Sequence, residues 1–137
     1  MNLYQDLIME HNRFPRGFGP LDGATHVAHG HNPLCGDNVV VRLKMAGEQV
    51  QDAAFEGVGC AICKASASMM METLKESGTV LAEPFLELLR TGKGDLGKLQ
   101  VFETVWNYPA RVKCAALPWR TMQAALAGTP ATTTEET

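Results

Sequence analysis

The sequence predicts an α+β fold, in which a small antiparallel sheet forms early in the chain and helices pack on it. Three β candidates lie at 25–29, 39–45 and 50–55, and the second is rich in apolar and β-branched residues. Ala46-Gly47-Glu48 lies between the second and third and is typical of a hairpin turn. Connections this short require antiparallel pairing. Segments with helical patterns lie on both sides of this region.

A helix is predicted ahead of the sheet, over Asn2–His11. Asn2 can cap its first turn, and Leu7 and Ile8 fall on one face. His11 lies near its end, where a cationic side chain suits the helix dipole. The stretch 14–20 contains two prolines and two glycines and is therefore predicted to be a loop.

Helices dominate the second half of the chain. Residues 60–77 are rich in Ala, Met and Lys, and Gly78 ends the helix that they predict. A second helix is predicted over 84–90, with a proline at its start and Gly92 after its end. The pattern over 94–108 is ambiguous.

The last predicted helix runs to about Ala127, and its start decides where Cys114 lies. Pro118 would be costly inside a helix but is tolerated in a first turn. We therefore expect the helix to begin only a few residues before Pro118, with Cys114 at or just ahead of its N-terminus. The segment beyond this helix has no apolar anchor. We expect one domain over 1–127 and a disordered tail over 128–137.

Composition and charge narrow the classes of partner. The 137 residues make one domain of ordinary size. Twelve Lys and Arg against fifteen Asp and Glu give a net charge of −3, which offers no electrostatic footprint for nucleic acid or an anionic membrane. No apolar run approaches the ~20 residues that span a bilayer, and no signal peptide is apparent. We therefore expect a cytoplasmic protein, whose cysteines bind metal, react or are buried rather than form disulfides.

Three of the four cysteines lie where a thiolate would be stabilised. Cys35 is in a Pro/Gly turn ahead of a strand, Cys60 lies between a strand and a helix, and Cys114 follows two basic residues at the other proposed helix start. Helix N-termini and nearby cations stabilise thiolates. Asp37 can turn its carboxylate toward the same point as Cys35. Together the four side chains form a ligand set that suits tetrahedral Zn²⁺ or an iron–sulfur cluster.

Plainer interpretations of these residues stay open on spacing alone. The segment 35–37 is also typical of a turn with an Asx-type hydrogen bond. The position of Cys60 is also typical of a small residue at the start of a helix. Cys63 lies one helical turn after Cys60, in a run of Ala and Ser, where a buried structural thiol is the typical interpretation. The alternative is a redox C-x-x-C motif, which Cys60-Ala61-Ile62-Cys63 also matches. Three histidines are more typical of a solvated cluster than of metal ligands: His26, His29 and His31.

Five stretches of the chain, taken together and in this order, match a known family. They are Pro15-Arg16-Gly17-Phe18-Gly19, Asn32-Pro33-Leu34-Cys35-Gly36-Asp37, Phe55-Glu56-Gly57-Val58-Gly59-Cys60, Ala65-Ser66-Ala67-Ser68-Met69-Met70 and Pro109-Ala110-Arg111-Val112-Lys113-Cys114-Ala115. The chain resembles the U-type iron–sulfur assembly proteins, which comprise IscU, the N-terminal part of NifU and SufU. Members of the IscU branch have a His immediately before the last Cys. Lys113 stands there in this chain, and extra residues lie between Cys60 and Cys114, so the resemblance is strongest to the SufU branch.

The resemblance implies a three-stranded antiparallel sheet with helices packed on it. It also implies a metal site at one end of the fold, built from Cys35, Asp37, Cys60 and Cys114. Zn²⁺ is the expected metal, with a 2Fe–2S or 4Fe–4S cluster on the same ligands as the alternative. Cys63 and Pro118 depart from the pattern of SufU-like sequences, but neither is one of the four ligand positions.

The resemblance further implies a zinc-dependent sulfur acceptor in iron–sulfur cluster assembly. Such a protein takes persulfide sulfur from a SufS-type cysteine desulfurase, activates that enzyme, and passes sulfur to a downstream scaffold or apo-protein. Cys35 is the expected acceptor and Asp37 a ligand that tunes exchange. Arg111 and Lys113 are expected to orient the partner or stabilise developing thiolate charge. The alternatives are an IscU-type scaffold that assembles and donates a cluster, a C-x-x-C dithiol redox protein, and a purely structural zinc module.

Overall fold

A computed structural model of the chain describes residues 3–78 and 82–133. Its helices and strands, in chain order, are α1 (Leu3–Arg13), β1 (His26–Asn32), β2 (Asp37–Ala46), β3 (Gln49–Val58), α2 (Ala61–Ser77), α3 (Ala82–Thr91), α4 (Pro109–Leu126) and β4 (Ala131–Thr133). Two short 3₁₀ helices, Gly97–Phe102 and Val105–Asn107, fill the segment whose pattern is ambiguous in the sequence. Asn2, the predicted cap of α1, lies outside the described residues. Within the described ranges, no helix is long and apolar enough to cross a membrane.

Within the described part of the chain, the sheet has four strands in the order β3-β2-β1-β4. β1, β2 and β3 are antiparallel neighbours, and Gly47 adopts φ +64° in the two-residue turn between β2 and β3. That conformation favours glycine, which explains why this hairpin can be predicted locally. The predicted α+β fold is confirmed, with one strand more than the expected three.

The fourth strand lies in the segment that was expected to be disordered. Ala131–Thr133 pairs in parallel with β1, where His29 faces Ala131, and the His29 N–H donates to the Pro130 carbonyl at 2.9 Å. The expectation is therefore wrong for these three residues. The free edge of β1 offers backbone donors and acceptors, and such pairing does not require an apolar side chain. Residues 134–137 of the predicted tail lie outside the described residues.

The start of α4 also differs from the expectation. The helix begins at Pro109, where proline suits a first helical position, and Pro118 lies in its interior. Cys114 consequently lies inside the helix and not at its N-terminus. Pro118 cannot donate a backbone hydrogen bond, but residues on both sides of it, including Leu117 and Trp119, are buried. Burial of this face stabilises the helix in spite of the proline.

The helices cover one face of the sheet and enclose the core. α2 packs on β3, α4 packs on β1 and β2, and the two helices pack on each other. Val41 and Leu43 point inward from β2, and Met69–Met71 of α2 are fully buried. Phe85 of α3 stacks on Trp119 of α4, with ring centroids 4.3 Å apart. These contacts fix α4, and with it Cys114, against the end of the sheet.

Candidate metal centre

Three of the four predicted ligands converge at one end of the sheet. Cys35 lies in the turn between β1 and β2, Asp37 begins β2, and Cys114 comes from α4. One ligand atom from each lies within 4.8 Å of the others, and the Cys114 and Cys35 sulfurs are 3.6 Å apart. Cys60 stands next to this group, because its backbone N–H donates to Asp37 Oδ1 at 3.0 Å. The fold therefore brings three of the predicted ligand atoms together and places the fourth residue, Cys60, directly beside them through its backbone.

The turn that carries Cys35 is closed at its base. Asn32 and Asp37 face each other across β1 and β2, and the Gly36 N–H donates to the Asn32 carbonyl at 2.8 Å. Gly36 adopts φ +74°, a conformation that favours glycine. The Asx-type hydrogen bond is present as well, since Asn32 Oδ1 accepts from the Leu34 N–H at 3.3 Å. The turn leaves Cys35 exposed at its tip and Asp37 buried at its base.

Cys60 is the N-cap residue of α2, as its position between strand and helix predicts. Its backbone is extended, and its sulfur accepts from the Cys63 N–H at 3.4 Å. Gly59, just before it, permits a close approach to the aspartate. A Cβ at that position would lie 3.1 Å from Asp37 Oδ1. The junction of β3 and α2 is thus packed directly against the carboxylate.

The electrostatic state of Cys114 differs from the expectation. Burial raises the pKa of its thiol far above the ordinary value, and hydrogen bonding to Asp37 and Cys60 raises it further. The expected position at a helix N-terminus is wrong for Cys114, which lies inside α4, so the start of the helix does not stabilise its thiolate. A bound cation would reverse these effects, because it favours the deprotonated ligand. Sulfur donors together with one carboxylate are the donor types that Zn²⁺ accepts, so the residues fit this metal.

Asn32 belongs to the centre but did not stand out in the sequence. It is fully buried, and its amide nitrogen lies 3.2 Å from Asp37 Oδ2 and 3.6 Å from the Cys114 sulfur. The alternation of β1 gives the one signal that could have found it. Ala28 and Gly30 occupy the helix-facing positions of this strand, and Asn32 places a polar amide at the next one.

A cleft of about 720 Å³ opens in front of the cysteines and is lined by Cys35, Cys60 and Cys114. Its walls are largely apolar and come from α1, the 3₁₀ segments and the start of α4; they include Ile8, Met9, Val101, Val105 and Tyr108. Arg111 lies on this wall, with its guanidinium carbon 5.1 Å from the centre of the Tyr108 ring. A partner segment with apolar side chains could therefore reach the thiols.

Lys113 does not line the cleft of the cysteines. It lines a neighbouring cleft of about 550 Å³ between α3 and α4, together with Trp106 and Arg120. Each residue of an α-helix turns the side-chain direction by about 100°, so positions two apart point to nearly opposite sides. Arg111 and Lys113 therefore face different surfaces. Of the two predicted basic residues, Arg111 is the one placed beside the thiols.

The remaining candidates lie apart from the ligand group. Cys63 is buried, and burial raises the pKa of its thiol far above the ordinary value, which does not favour a reactive dithiol with Cys60. His31 pairs its Nδ1 with Asn38 Oδ1 at 2.8 Å on the exposed side of β1. Among the described residues, three histidines are not members of the ligand group: His26, His29 and His31.

Comparison with known proteins shows which family the chain resembles. Residues 3–135 match the profile of the NifU-like N terminal domain. The zinc-dependent sulfurtransferase SufU of Bacillus subtilis is 37% identical over 134 residues, which cover 91% of this chain and 90% of SufU. The iron–sulfur cluster assembly scaffold protein IscU of Thermotoga maritima is 38% identical over 131 residues, which cover 90% of this chain and 92% of IscU.

The fold is also that of solved structures. A crystal structure from Fervidobacterium islandicum, described as an iron–sulfur cluster assembly scaffold protein for the SUF system, has a TM-score of 0.81 and 34% sequence identity. The match covers 88% of this chain and 94% of that protein.

Proposed function

Because the chain belongs to the family of NifU-like N-terminal domains, which includes the SufU and IscU proteins of iron–sulfur cluster assembly, we propose that it accepts sulfur from a SufS-type cysteine desulfurase. The observation that carries this proposal is the pairing of an exposed thiol with buried ligands. Cys35 is exposed at a turn tip, 3.6 Å from the buried Cys114 sulfur, and faces an open cleft. An acceptor has to present its sulfur to a second protein, and Cys35 is placed to do so.

The proposed resident metal is Zn²⁺, held by Cys35, Asp37, Cys60 and Cys114. When bound, zinc keeps the thiols deprotonated at neutral pH. The chain prepares the site without the metal, because Asp37 accepts hydrogen bonds at both carboxylate oxygens, from the Cys60 N–H and from Asn32. A carboxylate is a harder ligand than a thiolate and is less well matched to zinc. We therefore assign Asp37 the role of a ligand that permits exchange.

The proposed transfer is a thiolate attack on a persulfide. Cys35 Sγ, as thiolate, attacks the terminal sulfur of a persulfide on the partner's cysteine. A new S–S bond forms at Cys35, and the S–S bond of the partner breaks. The partner's sulfur leaves as a thiolate with the electron pair, and the proton of the terminal sulfur stays on it. Charge and atoms balance without an external oxidant. The persulfide on Cys35 then serves a downstream scaffold or apo-protein.

Two basic residues have separate roles in this proposal. Arg111 lies on the wall of the cysteine cleft, where its charge favours the leaving thiolate and an acidic group of the partner. Its position over Tyr108 limits the rotamers that it adopts. Lys113 faces the neighbouring cleft, so its role is to orient the partner at the rim rather than to contact the reacting sulfurs.

Metal content and desulfurase turnover test the proposal together. Protein purified without oxygen should contain about one zinc per chain. It should raise the turnover of a SufS-type desulfurase, measured as alanine formed from cysteine, and should carry one extra sulfur on Cys35 by mass spectrometry. Cys35→Ser should abolish both the rise in desulfurase turnover and the extra sulfur. The matched control is Cys63→Ala, which removes a buried thiol outside the ligand group and should retain them. Unchanged turnover with the natural chain would contradict the proposal.

A second function uses the same side chains. The similarity to IscU of Thermotoga maritima favours a scaffold, on which an iron–sulfur cluster is assembled as cargo and then donated. Anaerobic reconstitution with iron and sulfide distinguishes the two functions. A stable cluster that transfers to an apo-ferredoxin, with no effect on desulfurase turnover, would favour the scaffold. Zinc retention with stimulated turnover would favour the sulfur acceptor.

A further inference from the structure

Asn32 is a buried polar side chain that links two candidate ligands from different parts of the fold. Its amide nitrogen lies 3.2 Å from Asp37 Oδ2, at the start of β2, and 3.6 Å from the Cys114 sulfur, in the middle of α4. We propose that Asn32 is a positioning residue of the metal centre, which orients the carboxylate and the thiol through one amide group. This inference rests on the metal site of the proposed function.

The hydrogen bonds around Asn32 fix the orientation of its amide. Its Oδ1 accepts a hydrogen bond from the Leu34 backbone N–H at 3.3 Å. Because the oxygen of the amide faces that donor, the NH₂ group faces the two ligands. That group carries two hydrogens, one for each of the two acceptors. The backbone is fixed as well, because the Asn32 carbonyl accepts from Gly36. Asn32 is thus held at both its backbone and its side chain by the turn that carries Cys35.

The amide acts on Asp37 together with the backbone of Cys60. Asp37 Oδ1 accepts from the Cys60 N–H, and Oδ2 accepts from Asn32, so rotation of the carboxylate would break two hydrogen bonds. Donors of this kind set the orientation of a metal ligand, and their loss commonly weakens metal binding by about 10–100-fold. Asn32 supplies such a donor without placing a net charge beside the metal.

Zinc affinity of the full chain, measured by competition with a chromophoric chelator, tests this role. Asn32→Leu keeps a side chain of similar shape and removes both donors, so we expect about 10–100-fold weaker zinc binding. Asn38→Leu is the matched control. Asn38 is an exposed amide one residue beyond Asp37 that donates to the Gly36 carbonyl at 3.2 Å, and its loss should change the affinity by less than about threefold.

A merely structural role is separated from a positioning role by a double-mutant cycle. If Asn32 acts through its ligands, Asn32→Leu should weaken zinc binding much less in an Asp37→Ala chain, by less than about fivefold. The visible spectrum of the Co²⁺-substituted chain should also change with Asn32→Leu and not with Asn38→Leu. Circular dichroism of the metal-free proteins verifies folding, and Asn32→Ser replaces Asn32→Leu in all measurements if the latter does not fold.

The outcomes separate this inference from the proposal on which it rests. Equal losses of affinity in the natural and Asp37→Ala backgrounds would overturn the positioning role, as would an Asn32→Leu chain that binds zinc like the natural one. If Cys35→Ser and Cys114→Ser bind zinc as tightly as the natural chain, the metal site itself is wrong and the inference fails with it. Weakened binding by the cysteine variants alone would leave the site intact and overturn only the role of Asn32.

Discussion

Replacement of Gly30 by alanine tests how closely β1 and α4 must approach to hold the site together. A Cβ at Gly30 would lie 1.9 Å from Thr121 Oγ1 and 3.0 Å from Leu117 Cδ1. Thr121 is fully buried, and its hydroxyl donates to the Leu117 carbonyl at 2.7 Å, so a shift of the hydroxyl would break a buried hydrogen bond. Overpacking of a core typically costs about 1–3 kcal/mol. The severity of this contact places the expected loss at about 2–3 kcal/mol of unfolding free energy.

Urea unfolding of the metal-free, reduced chain, followed by circular dichroism, measures this loss. Thr121→Ala in the same chain removes the oxygen that the new methyl group meets. We expect the double variant to regain at least about 1 kcal/mol relative to Gly30→Ala alone, because contacting residues couple by about 0.5–3 kcal/mol. Gly94→Ala is the matched control, since its Cβ would make only ordinary contacts at 3.5 Å and beyond, and it should change stability by less than about 0.5 kcal/mol.

Two results would refute this reasoning about Gly30. The first is a Gly30→Ala chain as stable as the natural protein, which would mean that β1 and α4 can separate at little cost. The second is a double variant no more stable than Gly30→Ala, which would mean that the loss does not arise at Thr121. Either result would also weaken the view that tight packing of β1 on α4 fixes the positions of the ligands that they carry.

Two further predictions concern buried polar groups between the helices. Burial lowers the pKa of His11 below its ordinary 6.5, and its Nδ1 pairs with Ser68 Oγ at 2.7 Å. As the pH falls, His11 is therefore protonated in the unfolded chain before it is protonated in the folded chain. The stability that is present above pH 6.5 is lost as the pH falls from 6.5 toward the lower pKa of the folded chain. The melting temperature of the metal-free chain should fall between about pH 7 and pH 5.5, and His11→Asn should flatten this slope; an unchanged slope would contradict the assignment. Ser66→Ala removes the buried acceptor of the Trp119 indole N–H and should cost about 1–3 kcal/mol in urea unfolding, whereas exposed Ser77→Ala should cost less than about 0.5; equal losses would contradict the role of Ser66.

The parts of the fold that the sequence predicts well are those decided by nearby residues. Gly47 specifies a tight hairpin, and Gly78 ends α2 with φ +67° and a backbone hydrogen bond to Leu74. Cys60 caps the same helix, as its place between a strand and a helix predicts. In each case the relevant partner lies only a few positions away along the chain. Local conformational preference and capping are therefore sufficient.

The parts that were missed depend on distant partners. The start of α4 was predicted too late, because the prediction considered only the hydrogen bond that Pro118 cannot make. It did not consider the burial of the whole helix face that includes Trp119, which stabilises the helix. β4 pairs with β1 across about a hundred residues, and parallel pairing leaves no local pattern. Asn32 meets Cys114 across 82 positions. The role of Asn32 depends on how closely β1 packs against α4, and this packing cannot be predicted from composition or spacing.

The burial of the four candidate ligands separates the proposed sulfur acceptor from a purely structural zinc module. Asp37 and Cys114 are buried, whereas Cys35 and Cys60 are exposed. A ligand that remains in place during a transfer benefits from fixed neighbours, which Asn32 and the β3–α2 junction provide. A thiol that accepts sulfur has to meet the sulfur of another protein, which a buried side chain cannot do. Structural zinc sites are closed by four protein ligands, and nothing in that role requires two of them to face a cleft of about 720 Å³. The division into two buried and two exposed ligands therefore favours transfer over structure.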